Sequence, residues 1–365
     1  MLPANAERRR FVRRIVIVSP HCALIYSVFM KAKPIGRLDA LLGWILSCVL
    51  ILWLASVPAY ANLFVSRDGA GGPHSAAIGD YTNSGVVIDR NLITGLMPAR
   101  DMVVSGNKIY VLSDDGTVGV YSTSGQTINR SLITGLNSDE GRAEAIAVSG
   151  KQIFIGSSAG QGSVSLFTTA GTLVNASLIA DLHSGSFSSD VGDMAISGAH
   201  LFVASSGSDG GFHNTVGEYT FSGDAVDPAL VTFTTGFASA LAVSETAIFV
   251  RNSTNEETPG IDTIAKYTRS GKLLDPSFIT GLTDPFSIAI SGNDIFIGGG
   301  AIIGGIVGRY DLSGNSIDPT LLTDLVFPTV AVSGGSTAVP ESVATWWLVF
   351  PLLGMVAARC FRLCR

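Results

Sequence analysis

One phrase recurs six times along this chain and constrains it more than any other feature. Its clearest copies run VGVYSTSG (118–125), SLITGL (131–136), AIAVSG (145–150) and QIFIGS (152–157). They return as IAKYTRSG (264–271), SFITGL (277–282), SIAISG (287–292) and DIFIGG (294–299). Each pass holds four short apolar runs divided by Ser-Gly, Asn or Asp turns. A repeat of about 40–50 residues with four strands is the pattern of a propeller blade, whose apolar faces are buried only by its neighbours.

The six motifs close on Gly85, Gly125, Gly171, Gly223, Gly271 and Gly314, and the residue four places earlier is always aromatic: Tyr81, Tyr121, Phe167, Tyr219, Tyr267 or Tyr310. A ring kept at one fixed place in every blade is read as packing between blades rather than as a stacking platform. With strands named A (AIAVSG), B (QIFIGS), C (VGVYST) and D (around LITGL), the repeats open on a B-like run, 62–65, and close on an A-like run, 330–334. Six of each strand result only if the last A joins the first B, C and D in one sheet. The expectation is an all-β, six-bladed propeller of four antiparallel strands per blade, closed by that pairing so that no edge is left open.

Runs such as Ile-Ala-Val and Ile-Phe-Ile are nearly continuous in apolar residues, as strands covered on both faces should be. Small Ala147, Ala195, Ala242, Ala289 and Ala331 suit a crowded centre. Length differences between repeats fall in the B to C and D to A connections. Antiparallel order brings both to one end of the disc, and a binding site is expected there.

The repeat resembles the NHL-type propeller family, over residues 62–334, on its IAVSG-xx-LFV and YT-x-SG-xxxxx-SLITGL units. The resemblance implies a fold that hosts scaffolds, ligand binders and some enzymes, including six-bladed lactonases and lyases.

The termini are of different material. Leu41 to Val57 is apolar, is preceded by Lys31, Lys33 and Arg37, and is followed by Ala59-Tyr60-Ala61. That order is a secretory signal peptide over 30–61, cleaved by signal peptidase after Ala61, and residues 1–29 read as an extension upstream of the true start at Met30. At the other end Val339-Pro340-Glu341-Ser342 introduces 17 uncharged residues, 342–358, including Trp346 and Trp347, and then Arg359, Arg362 and Arg365. This stretch is at the lower limit for a membrane span, and its arginines favour the cytoplasmic side. It resembles the PEP-CTERM sorting signal of Gram-negative bacteria, departing at Ser342 where the family has a second proline. The resemblance implies a transient inner-membrane anchor over 343–365, a linker over 335–342 carrying the motif, cleavage by an exosortase-like enzyme, and a final place in the cell envelope or outside it. Extracellular polysaccharide or a surface protein is the partner expected there.

All four cysteines, Cys22, Cys48, Cys360 and Cys364, lie in the terminal segments, so the propeller is expected to hold by packing without disulfides. Residues 62–340 carry 12 lysines and arginines against 26 aspartates and glutamates, a net charge of −14, which makes nucleic acid an unfavourable partner.

Two constellations on the variable end invite chemistry. Asp101, Glu144 and Asp193 precede strand A in three consecutive blades, with Asp190, Arg100 and Arg142 beside them, while Ser239, Ser287 and Thr329 are the neutral counterparts. Clustered carboxylate oxygens suit Ca²⁺, the one cofactor the sequence brings forward. Solvated loop carboxylates paired with the arginines are the alternative. His74 and His213 are expected in matching Gly-rich B to C loops of opposite blades, one and four, too far apart for one metal unless both loops fold inward, and no carboxylate is spaced to orient either. No nucleophile motif, phosphate loop or zinc spacing accompanies them. The reading is an exported surface or matrix binding propeller, with no catalytic residue assigned. The alternative is a Ca²⁺-dependent lactonase, hydrolase or lyase at the acidic mouth.

Overall fold

The computed structural model describes residues 61–68, 74–139, 141–158, 161–182, 189–208, 212–233, 239–252, 262–300 and 304–334. The extension over 1–29, Ala59 and nearly all of the signal segment, His183, the sorting motif (Val339, Pro340, Glu341) and the anchor (Trp346, Trp347, Arg359, Arg362, Arg365) lie outside the described residues. Among the described residues no helix is long and apolar enough to cross a membrane.

Twenty-four strands are described. The first blade holds β1 (Asn62–Arg67), β2 (Ala76–Thr82) and β3 (Val87–Leu96), and the second β4 (Ala99–Ser105), β5 (Lys108–Ser113), β6 (Val118–Ser122) and β7 (Thr127–Ile133). The third holds β8 (Ala143–Ser149), β9 (Gln152–Ser157), β10 (Ser163–Thr168) and β11 (Leu173–Ile179), and the fourth β12 (Ser189–Ser197), β13 (His200–Ser208), β14 (Phe212–Thr220) and β15 (Ala225–Phe233). The fifth holds β16 (Leu241–Val243), β17 (Ala247–Asn252), β18 (Asp262–Thr268) and β19 (Leu273–Leu282). The sixth holds β20 (Pro285–Ser291), β21 (Asp294–Gly299), β22 (Gly305–Asp311) and β23 (Ser316–Leu325), and β24 (Val330–Val332) follows.

These form six four-stranded antiparallel sheets, and β24 completes the first in the order β24-β1-β2-β3. The closing register sets Leu63 against Val332, Phe64 against Ala331 and Val65 against Val330. The expected six-bladed ring, closed by the last A strand on the first B strand, is what the chain forms.

Packing explains the repeated letters. Six apolar clusters fill the six interfaces, and each aromatic of the YT-x-SG motif packs into the blade before it. Tyr121 meets Phe64, Ile78 and Ala331 of blade 1, and Tyr81 meets Phe296, Val307 and Leu325 of blade 6. The ring also lies over its own strand: a Cβ on Gly79, Gly119, Gly217 or Gly308 would collide with the tyrosine two residues on. Strand B carries the largest buried rings, Phe64, Phe154, Phe202, Phe249 and Phe296, each worth about 2–3 kcal/mol by burial.

Strand D departs from the all-buried expectation, since its first five residues are exposed in five of the six blades. Being outermost, it keeps a free edge, so ring closure does not remove every open edge, against the expectation. The edge is blunted by a bulge at Asp89, Asn129, Asn175, Asp227, Asp275 or Asp318, whose Oδ1 accepts the main-chain N–H two residues on at 2.9–3.2 Å. Pro228, Pro276 and Pro319 follow that residue in three blades and remove a donor from the edge.

Connection lengths divide the disc. Every C to D turn has four residues and every A to B turn two or three, whereas B to C and D to A connections range from two to nine. The C to D glycines lie at positive φ and press on strand D of the previous blade, as Gly125 does on Leu92 and Gly271 on Leu230. Replacing Gly271 with Ala combines an unfavourable φ of 76° with overlap of the Leu230 carbonyl. Gly281, at φ 74°, has nothing within 4 Å of the place a Cβ would take. Urea melts should therefore show a loss of about 1 kcal/mol for Gly281→Ala and more than about 3 kcal/mol for Gly271→Ala. Equal losses would mean that the contact across the interface does not hold the blades.

Candidate functional site

The six inner strands converge on an axial cavity of about 150 Å³. The side chains that line it are apolar over most of its length, and five alanines among them, Ala147, Ala195, Ala242, Ala289 and Ala331, let six strands approach one axis. Polar side chains enter only near the end with the variable connections: Arg100, Asp101, Glu144, Asp193 and Ser287 line the cavity there.

A β-bulge near the start of strand A sets what these residues do. Ala99 pairs with Ser113 and Asp101 with Leu112, which leaves Arg100 unpaired between them. The same shift leaves Glu144 unpaired in blade 3, Gly192 in blade 4 and Phe286 in blade 6. Glu144 is thus the counterpart of Arg100, and Ala145 is the counterpart of Asp101 and Asp193. The expected row Asp101, Glu144, Asp193 is off by one residue in its middle member. Likewise Ala240, rather than Ser239, is the fifth-blade counterpart.

In this register the residue after the bulge reads Thr329, Asp101, Ala145, Asp193, Ala240 and Ser287 around the ring. Three of them accept a main-chain N–H of the next blade. Asp101 Oδ2 accepts the Ile146 N–H at 2.7 Å, Asp193 Oδ2 accepts the Leu241 N–H at 2.6 Å, and Ser287 Oγ accepts the Val330 N–H at 3.0 Å. Oδ1 of each aspartate accepts from the following residue, Met102 or Met194, at 2.6 and 2.7 Å. The inner edge of strand A has no neighbouring strand, so these main-chain donors would otherwise face the cavity unpaired. Burial pushes the Asp101 carboxyl up to about 6, against the pull of its two N–H partners. Asp193 is raised well above the usual carboxylate range, first by burial and then by the charge of Asp101.

Outside these staples lies a salt-bridge network. Arg100 pairs with Glu144 and with Asp114 (2.7 Å), and Asp114 also takes Arg142 at 2.7 Å. Burial raises Glu144, the two arginines oppose this, and Asp190 adds to it. Asp190 is itself raised by burial, with Arg100 opposing. Asp68 is pushed to about 6 by burial, with Asp114 contributing. Across the mouth, Arg251 joins Asp262 (3.1 Å), Asp284 (2.7 Å) and Ser239 Oγ (2.9 Å). Asp68, Asp114 and Arg251 were not singled out from sequence. Their signal is position, because each sits at or just past the end of strand B.

The structure therefore brings Arg100, Glu144, Asp190 and Arg142 into one charged neighbourhood and sets Asp101 and Asp193 deeper, as main-chain acceptors. Among the described residues, no three His, Cys, Asp or Glu side chains stand where they could hold one metal ion. His74 is an exposed turn residue at φ 64°. His213 lies within β14, paired with Gly207, rather than in a loop. His200 is the first residue of β13, at the opposite end of the disc, with Nδ1 2.5 Å from Glu218.

The raised carboxyls make stability depend on pH. Asp101 titrates near 3.8 unfolded and near 6 folded, so between those values the folded state binds the extra proton. Its contribution is full below about pH 4 and declines as pH rises to about 6, by on the order of 2–3 kcal/mol; Asp193 carries the decline further in the same direction. Urea midpoints should be higher at pH 5 than at pH 7.5, and the difference should shrink in Asp101→Asn and Asp193→Asn. A midpoint that rises from pH 5 to 7.5 would contradict the burial of this pair.

No family model and no curated protein matches the sequence. Solved structures similar to it include TolB from Acinetobacter baumannii, 14% identical with a TM-score of 0.50, over 82% of this chain and 74% of that one. A protein described as TolB from Agrobacterium tumefaciens is 12% identical with a TM-score of 0.49, over 75% of this chain and 97% of that one. At 14% identity the likeness to the Acinetobacter protein is one of fold, and this chain is a six-bladed β-propeller with TolB among its structural neighbours.

Proposed function

We propose that this protein is an exported, non-enzymatic propeller of NHL type that serves as a binding or scaffold module at the bacterial surface or in the surrounding matrix. The observation that carries the reading is the polarity of the disc. One face is built of turns of nearly constant length and receives both ends of the propeller chain, Asn62 and Ser333, which are hydrogen-bonded to each other. The other face gathers the variable connections and the charged mouth. A module held by its invariant face presents its variable face outward.

The terminal sequences supply the means. The signal segment with Ala59 and Ala61 fits export and cleavage by signal peptidase. The Val339-Pro340-Glu341 motif, the uncharged stretch with Trp346 and Trp347 and the basic end at Arg359, Arg362 and Arg365 fit a PEP-CTERM-type anchor, held briefly in the inner membrane and cut by an exosortase-like enzyme. The mouth, with Arg100 and Arg142 set among Asp114, Glu144 and Asp190, offers paired donors and acceptors of the kind that hydrogen-bond polysaccharide hydroxyls. Intact mass of the exported protein is expected to match residues 62–340 closely. A mature species that retains Arg8 or Arg365 would defeat the sorting half of the reading.

One observation favours a second reading. Two half-buried carboxyls held above the usual carboxylate range, Asp101 and Asp193, are placed to accept a proton in a Ca²⁺-assisted hydrolase or lyase. Melting in Ca²⁺ and in chelator separates the two. Coincident curves are expected for the binding module. Ca²⁺ at about 100 times its dissociation constant would stabilise a metal site by about 2.7 kcal/mol, and that gain should vanish in a combined Asp101→Asn, Glu144→Gln, Asp193→Asn variant.

A further inference from the structure

We propose that cleavage after Ala61 does more than remove a leader: the α-ammonium group it creates on Asn62 is the cation that the buried Asp80 carboxylate lacks, and it completes the closure of the ring. The proposal rests on the export reading above. In the structure Asn62 opens β1, and its main-chain nitrogen donates to Ser333 Oγ at 2.6 Å, at the end of the last strand. Its side-chain Nδ2 donates to Asp80 Oδ2 at 2.9 Å. Asp80 is 5% exposed, and its other oxygen, Oδ1, is buried without a hydrogen-bond partner. Such a carboxylate is costly to hold, and burial raises its pKa, with the Asn62 side chain opposing, Asp89 adding and the Tyr81 main-chain N–H opposing in smaller measure. None of these influences is a cation.

Two other blades place an ionisable pair at this point. The first residue of strand B pairs with the last residue of strand C, Asn62 with Thr82, His200 with Thr220 and Asp294 with Asp311, and lies diagonally across from the residue two before it. In blades 2, 3 and 5 that diagonal joins Lys108 to Val120, Gln152 to Leu166 and Ala247 to Lys266, with no such pair. In blade 4 the pair is an imidazole against a carboxylate, His200 and Glu218 at 2.5 Å. In blade 6 it is a carboxylate against a guanidinium, Asp294 and Arg309 at 2.8 Å. In blade 1 an uncharged asparagine meets the carboxylate. Bond lengths and angles put the Asn62 main-chain nitrogen within about 8 Å of Asp80 Oδ2, a range over which a charge is felt in a partly dry site. In the uncleaved chain that nitrogen is a neutral amide with one proton. After cleavage it is an ammonium with three, one of which suffices for Ser333. Asp80 thus has a cation beside it only in the mature protein, so the closed ring is more stable after processing than before it.

The test uses the exported protein, with its N-terminus read by sequencing and mass. Melting is compared for the free α-amine, for the same protein acetylated selectively at that amine, and for a chain extended by one residue to start at Ala61, which moves the charge by about 3.8 Å. Both changes are expected to lower the melting temperature by about 2–4 °C, and Asp80→Asn should erase the difference. Free and acetylated proteins that melt together overturn the proposal, and that comparison needs no variant. So does a difference that persists in Asp80→Asn. An N-terminus other than Asn62 removes the cleavage reading and this inference together, whereas an Asn62 terminus with no effect of acetylation removes the inference alone.

Discussion

Everything in this fold depends on the seam between β24 and β1. Each blade is a thin sheet that covers both faces only by lying between two others, so a ring with one open joint would expose two apolar faces at once. Only three residue pairs form the seam ladder. Polar contacts extend it at both ends: Ser333 and Asn62 bond in both directions at one end, and Thr329 and Ser66 do the same at the other, through the Ser66 N–H at 2.9 Å and the Ser66 hydroxyl at 2.9 Å. Gly85 presses on Leu321 across the interface between blades 1 and 6 as Gly125 presses on Leu92 between blades 2 and 1. The joint made by the chain ends is built like the joints made by continuous chain.

The fold could be read from the sequence because each structural demand was written six times. A turn that needs positive φ and a bare Cα face gives Gly85, Gly125 and their counterparts, and an interface that needs a flat buried ring gives Tyr81, Tyr121 and theirs. The site was written once, with no sixfold pattern to fix its register. Counting back from the Ser-Gly turn sets Ala145 beside Asp101 and Asp193, and Glu144 entered the row one residue early on its acidity alone; in the structure it is the unpaired bulge residue, as Arg100 is. The Asp or Asn of strand D escaped notice for the opposite reason. Asp89 and its five counterparts are as regular as the glycines, but their bond is to their own backbone, and a polar residue on an exposed strand has no apolar pattern to announce it.

The axial cavity shows how the same need is met at different electrostatic cost. Three alternate interfaces, between blades 2 and 3, 4 and 5, and 6 and 1, use an acceptor from one inner strand for an N–H of the next. A carboxylate accepts more strongly than a hydroxyl and serves two donors at once, which explains why Asp101 and Asp193 also hold Met102 and Met194. It also brings charge into a narrow apolar space, and the second carboxylate there feels the first. Ser287 does the same task in the third interface without charge. Of the remaining interfaces, the one between blades 1 and 2 is bridged by the Thr329 hydroxyl, which donates to the Ala99 carbonyl at 3.3 Å. The aspartates therefore have a structural duty that any chemistry at the mouth would have to share.

That duty bears on how such a ring acquires a function. The staples and the apolar wall fix the inner strands, while Arg100, Asp114, Glu144 and Arg142 sit one bulge or one turn further out, on positions the ladder does not use. Residues on such positions can change without unpairing a strand, whereas a change at Asp101 or Asp193 leaves an N–H of the next blade without its acceptor. The two sets are separated by a single residue along strand A, and the bulge provides that separation. Specificity for a partner is then free to vary at the mouth over a closure that cannot, and the face that holds Asn62 and Ser333 keeps its turns constant because the seam ends there.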